Sequence, residues 1–347
     1  MADDAPAETS VAKPATDSLA ARSIRFAVTV TAPIALNLFL GPQPWLVYAL
    51  ITSIAAYSMD NGGRPMVRLL WIGSIGVAIL LGAGLGSLVT DNRALTILAF
   101  AFGGVVYALS ESGHQATITL ARFFCFGIAV GALYAKLAPL DVVVVLGFVG
   151  FAWLVSVGWD LAAGMMRPAS LPGLADIVVA MHARLIHRWT FAIAVACAVP
   201  VTFLISAAFG EQKPYWAMLA LVLVLRADFN SSRKLMVERF VGTVLGVAIA
   251  AIYATLLPYH QALMIGLVLA ALARWPAQQR HGVLGVGAIT AFVMLMIELV
   301  ASSRGQAVML FEARIINTAI GIGVALLALA LDRALHRLRS GRPAAVD

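Results

Sequence analysis

The residues able to do chemistry in this chain are ionisable groups set inside long apolar runs. Arg122 lies in T-I-T-L-A-R-F-F-C-F-G, about two turns past His114, and Glu298 lies in M-L-M-I-E-L-V. Such a group costs about 2.5–3.5 kcal/mol to insert in a bilayer, which makes each a functional candidate. A guanidinium stays charged and grips a carboxylate through two parallel hydrogen bonds, so Arg122 is the first candidate contact for an organic anion. Snorkelling to the headgroups is its other reading. A carboxylate in apolar surroundings holds its proton more tightly. Glu298 is therefore a candidate proton carrier, or else a partner for Arg304 or Arg314.

A second concentration of such groups lies between Lys213 and Gly246. Tyr215 and Trp216 open an apolar run that stops at Arg226 and Asp228, and a basic stretch with Arg233, Lys234, Glu238 and Arg239 follows. Tyr215, Trp216, Arg226 and Arg239 join Arg122 as candidate substrate contacts, and Asp228 joins Glu298 as a proton carrier. The charged elbow reads either as a lock or as a vestibule that draws anions. The chain has no nucleotide-binding Gly-Lys-Ser/Thr loop, no His-Glu-x-x-His and no Gly-x-Ser-x-Gly. Its six histidines show no metal-like spacing, and Cys125 and Cys197 sit in apolar runs. These features predict a non-enzyme that needs neither cofactor nor metal.

The elements that must position these groups follow from composition. Hydrophobic residues make up 61% of the chain and charged residues 12%, and the mean hydropathy is +0.93. Soluble domains carry about twice that charge. The apolar runs are continuous, as in helices that cross about 30 Å of hydrocarbon, and do not alternate as in barrel strands. The fold class expected is an all-α polytopic membrane protein of about twelve spans. They fall at 23–40, 44–59, 69–90, 94–110, 115–137 and 141–161, then at 189–209, 214–226, 237–257, 261–273, 282–300 and 311–332.

With loops assigned to alternating sides, about 18 of the 24 Lys and Arg share the side of the N-terminus, about five lie opposite and Arg122 is within a span. That asymmetry places both termini in the cytoplasm. It also accounts for the net charge of +7 without nucleic acid. Residues 1–21 lack the apolar core of a signal peptide and read as a disordered cytoplasmic tail. Residues 162–188 read as a cytoplasmic linker, with a basic amphipathic helix from Ile177 that carries His182, Arg184, His187 and Arg188.

The sequence also repeats. A shift of 171 positions sets Trp45 on Trp216, Arg68 on Arg239 and Asp141 on Glu312 without a gap. Residues 22–161 and 189–332 are therefore read as two six-helix membrane repeats, with 333–347 a basic cytoplasmic tail. Six spans is an even number, so the repeats are parallel, and a substrate path lies between them near the midplane. The second and eighth spans, and the fourth and tenth, are short. Residues 214–226 give only about 20 Å of helix, and short matched spans point to the path. Arg68 and Arg239 each open a span rich in small residues (Gly73, Ser74, Gly76; Gly242, Thr243, Gly246) that suit close helix packing.

Tyr215-Trp216-Ala217, a branched apolar run, a polar elbow and Arg239-Phe240-Val241-Gly242-Thr243-Val244-Leu245-Gly246 together resemble the signature of the fusaric acid resistance protein-like family. Arg314-Ile315-Ile316-Asn317-Thr318-Ala319-Ile320-Gly321 resembles the family's ending. The family includes bacterial aromatic acid exporters. The resemblance covers the second half well and the first as a degenerate repeat. Many members carry a large soluble domain where this chain has a linker of roughly 25 residues, so it resembles the compact form. Similar six-span units also resemble plant aluminium-activated malate transporters.

The resemblance implies a multi-pass protein of the bacterial inner membrane that exports fusaric- or hydroxybenzoic-type weak acids, driven by the proton gradient. A passive anion channel with one path between the repeats is the alternative, and a non-transporting scaffold subunit a further one. The partners to expect are a small organic anion and the lipid bilayer, with a periplasmic adaptor protein and a second copy of the chain as candidates.

Overall fold

An apolar run in hydrocarbon has no water to satisfy its peptide groups and closes its hydrogen bonds internally as a helix. The computed structural model describes residues 18–41, 43–111, 113–164, 166–167, 189–210, 213–301 and 303–340, and over these the chain forms twelve helices and no strand. Before the linker come α1 (Leu19–Leu40), α2 (Gln43–Ser58), α3 (Pro65–Val89), α4 (Arg93–Ser110), α5 (Gln115–Leu133) and α6 (Pro139–Ala162). After it come α7 (Trp189–Ala208), α8 (Tyr215–Val224), α9 (Phe229–Leu256), α10 (His260–Arg280), α11 (Gly282–Val300) and α12 (Arg304–Ser340). The expected amphipathic helix of the linker, most of the N-terminal tail and the last seven residues lie outside the described residues.

Nine of these helices are long and apolar enough to cross a membrane. The apolar helices α2 and α8 are shorter, and α10, which ends in R-W-P-A-Q-Q-R, falls outside the nine. Phe39, Leu81, Leu88, Leu98, Leu154 and Leu256 stand exposed on outward faces, as lipid-facing side chains must. The chain is a multi-pass membrane protein.

Several boundaries differ from the sequence reading, each for a local reason. The expected elbow through Arg239 contracts to Leu225–Asp228. Asp228 caps α9 by accepting from the Ser231 N–H at 2.7 Å, so Arg233, Lys234, Glu238 and Arg239 are already helical. α10 continues past residue 273 and through Pro276 to Arg280. α12 begins at Arg304, ahead of its apolar core, and runs on through the expected basic tail to Ser340. At the other terminus, Ser18 accepts from the Ala21 N–H at 3.2 Å and starts α1 inside the stretch read as a tail.

His114 and His281, read as scattered, are the N-caps of α5 and α11. Each accepts at Nδ1 from a backbone N–H two residues on, at 3.2 Å. The cap leaves each ring at a helix entrance.

The same helix pairs touch in each group of six. α3 packs on α5 and α6, as α9 packs on α11 and α12, and α2 meets α6 as α8 meets α12. Across the groups, α4 packs on α7 and α1 on α10. The α3–α5 crossing is made by Gly82 and Gly86 against Gly127 and Gly131, where any Cβ would fall on the facing backbone. In the second group Gly242 and Gly246 press on α11 in the same way. Of the small residues expected to do this in α3, Gly73 faces open space and Gly76 meets Val149 of α6.

Gly127→Val is expected to force α3 off α5 and destabilise the chain by about 1–3 kcal/mol. Gly147→Ala, on an open face of α6, should leave the thermal midpoint unchanged or higher. Thermal unfolding of the two variants in one detergent checks the contrast.

Candidate functional site

The two groups of helices enclose a cavity of about 580 Å³ between them. Its wall takes residues from α1, α2 and α5 on one side and from α8 to α12 on the other. The short helices α2 and α8 both border it; of the other pair expected to be short, α4 has 18 residues and contributes none to the wall, and α10 runs to 21. α8 is only ten residues because Leu225 turns extended, and the backbone of Arg226 is then cross-braced to the Ser232 hydroxyl at 2.8 and 2.9 Å.

Chain direction orders the lining. Tyr134, Lys213, Tyr215 and Val300 stand at helix ends on one side, and Ser58, Leu223 and Trp275 at helix ends on the other. At the first end cations and rings alternate. The Lys213 ammonium lies 4.9 Å from the Tyr134 ring, which meets Tyr215 edge-on at 5.9 Å. Tyr215 meets Trp216 at 6.0 Å, and the Arg314 guanidinium lies 5.3 Å from the Trp216 ring. Lys213 takes a φ of 58°, a left-handed conformation uncommon outside glycine. Partial burial pulls its ammonium below the ordinary lysine range.

At the other end Phe26, Tyr57 and Trp275 form a ring cluster with centroids 5.0–6.3 Å apart. The Arg274 guanidinium lies 5.2 Å from Trp275, whose ring also carries Arg22 at 3.4 Å. Arg239, from α9, also lines the cavity. Between the two ends the wall is apolar: Leu50, Ile54, Phe126, Leu219, Val293 and Ile297.

Lys213, Arg239, Arg274 and Arg314 are the charged residues of this wall, and among the described lining residues there is no carboxylate and no histidine. The Nε atoms of Arg239 and Arg314, Nε1 of Trp275 and Oγ1 of Thr290 are buried with no hydrogen-bond partner. A buried cation without a counter-charge costs several kcal/mol. These donors lie buried within residues of the cavity wall, unsatisfied by the protein.

The structure brings three of the expected contacts together, since Tyr215, Trp216 and Arg239 all line the cavity. Arg122 does not. It is buried in α5 beside the cavity, with its guanidinium 5.8 Å from the Tyr107 ring. Arg226 also lies off the wall. It donates to the Tyr107 hydroxyl at 3.0 Å, stands 3.9 Å from Glu111, and so ties the end of α8 to α4.

Of the proposed proton carriers, Asp228 is an exposed helix cap. Hydrogen bonds from Ser231 hold its carboxyl below the usual range. Glu298 is half-buried and engaged near the end of α11, and is not among the residues that line the cavity.

Sequence reasoning passed over Lys213, Arg274 and Arg314, having taken them for loop or interface charges. The available signal for Arg314 was its place in the Arg314–Gly321 motif. Asn317 of that motif accepts from the Ser206 hydroxyl at 2.7 Å, and Gly321 sits on the Ala217 backbone of α8. Together these pin α12 against α7 and α8 so that Arg314, 4% exposed, faces inward.

A charge lock does exist, in the first group of helices. Arg68 is fully buried and donates to the Gly63 carbonyl at 2.9 Å, to Ser156 at 3.1 Å and to Asp160. Arg167 joins Asp160 at 2.7 Å to Asp60 at 2.9 Å, and Arg25 stands 3.6 Å from Asp60. Burial alone would lower the Arg167 guanidinium, but the carboxylates of Asp60 and Asp160 raise it above its ordinary value. Shifted by 171, the positions of Asp60, Ser156 and Asp160 become Ser231, Leu327 and Leu331. Arg239 therefore has no copy of the lock that holds Arg68.

The fold and site define a multi-pass, all-helical membrane protein with a cavity lined by both groups of helices. Residues 201–328 match the model of the fusaric acid resistance protein-like family, which supports the resemblance seen at Tyr215–Gly246 and Arg314–Gly321. Neither a search of curated proteins nor one of solved structures returned a match.

Proposed function

We propose that the chain is a bacterial inner-membrane exporter of aromatic or other weak organic acids, built as two parallel six-helix repeats with both termini in the cytoplasm. The observation that carries this reading is the charge of the cavity wall: four cations, two ring clusters and no described carboxylate. A carboxylate headgroup finds guanidinium forks at Arg239, Arg274 and Arg314. An aromatic body finds Tyr57, Trp275, Tyr215 and Trp216 to stack on, with an apolar passage between. A hydrophilic polycarboxylate would lose hydration along that passage without recompense.

The proton gradient is the expected driving force, with Glu298 and Asp228 as the sequence-derived carriers. The wall's lack of a described carboxylate or histidine favours the second reading, a passive anion path that follows the membrane potential.

Proteoliposomes holding the full chain test both. Saturable hydroxybenzoate flux that requires an imposed pH gradient supports the exporter, and flux that follows voltage alone supports the channel. Absence of flux for every aromatic and weak organic acid tried would sink the anion-transport reading.

A further inference from the structure

The cavity is longer than the anions proposed for it. α2 borders it from Leu46 to Ser58 and α11 from Ile289 to Val300, which at 1.5 Å per residue is about 16–18 Å of wall. A single ring bearing a carboxylate is about 7 Å long by summed bond lengths. Such a molecule reaches one end of the cavity or the other and cannot bridge them.

Each end carries its own cations and its own rings. At one, the row Tyr134, Tyr215 and Trp216 has Lys213 4.9 Å from its first ring and Arg314 5.3 Å from its last. At the other, Phe26, Tyr57 and Trp275 make the ring cluster, and Arg274 lies 5.2 Å from Trp275. All of these side chains line the cavity. Among the described residues no ring or cation contact joins one cluster to the other. Leu50, Ile54, Val293 and Ile297, midway along their helices, give a carboxylate no hydrogen bond. Charge points the same way. The described wall has four cations and no carboxylate, so a lone monoanion would leave three of them unbalanced.

We infer that the cavity holds two substrate anions at once, one at each end, each with its carboxylate on the local cations and its ring on the local aromatic cluster. This occupancy presupposes the anion transport proposed above. Repulsion between the two anions in a medium of low dielectric loosens the hold on each, which a cavity with cations at both ends requires for release.

Equilibrium dialysis of radiolabelled hydroxybenzoate against the full purified chain counts the anions. Two per chain are expected at saturation. Arg274→Gln and Arg314→Gln are each expected to leave one, and the double variant none. One molecule per chain at saturation in the unaltered protein overturns double occupancy and leaves transport of a single anion standing. Loss of all binding in either single variant that still folds does the same. No binding by any aromatic or weak organic acid overturns the occupancy and the transport reading together. Should a variant not fold, crystals of the unaltered chain soaked in bromobenzoate decide. Two anomalous peaks, one beside Trp216 and one beside Trp275, support the pair of stations, and a single peak rejects it.

Discussion

Arg314→Gln is expected to lower organic-anion flux by about 10–100-fold while leaving the folded chain at least as stable as before. The magnitude follows from a hydrogen bond to a charged group, roughly 1.5–3 kcal/mol, with 1.4 kcal/mol for each factor of ten. That stability follows from what the residue lacks. The guanidinium is buried with Nε unpartnered, and its recorded contact is the Trp216 ring at 5.3 Å. Removing it breaks no carboxylate bridge among the described residues and takes an unbalanced buried charge out of the fold. Arg314→Lys keeps the charge without the fork, so its flux should fall between the two. Initial rates in proteoliposomes with thermal midpoints for the same samples check the pair of outcomes. Undiminished flux in Arg314→Gln would remove Arg314 from the path.

How far the sequence spoke for the structure depends on which half is read. Apolar runs located all twelve helices, because peptide groups in hydrocarbon leave no other choice. The short α2 and α8 were legible from their bounding charges. Helix ends were less so: capping by Asp228 and Ser18, and helix extending past apolar cores, depend on local hydrogen bonds that hydropathy does not register. The repeat pairs were legible as pairs but not as unequal ones. Trp45 donates to Asp141 at 2.8 Å, while its counterpart Trp216 faces the cavity beneath Arg314. Arg68 is locked, while its counterpart Arg239 lines that cavity with its Nε unpartnered. In both pairs the first-half copy is bound into the scaffold and the second-half copy lines the cavity. That division arises from partners 90 or so residues away, and a motif read along the chain cannot see them.

The lock around Arg68 makes the complementary prediction. Asp160→Ala is expected to destabilise the protein by about 3–5 kcal/mol, the loss typical when one partner of a buried ion pair is removed. Arg68 and Asp160 are 0% and 2% exposed, so solvent cannot take up the stranded guanidinium. Arg167 would lose its 2.7 Å bridge and a backbone bond to the same carboxylate at 2.9 Å, which releases the start of the linker from α6. Ser156 and the Gly63 carbonyl would remain on Arg68, but both are neutral and cannot balance its charge. The double variant Arg68→Met with Asp160→Leu removes both charges and should recover much of the loss, as apolar replacements of buried pairs commonly do. Its recovery separates a cost of unbalanced charge from a cost of lost shape. If Asp160→Ala and the double variant unfold at the same temperature, the lock acts through packing and not through charge. If Asp160→Ala unfolds with the unaltered chain, the network does not hold this face of the helices together. Flux adds an independent reading. The lock shares no residue with the cavity wall, so variants that still fold should keep the cavity's anion preference while losing thermal range.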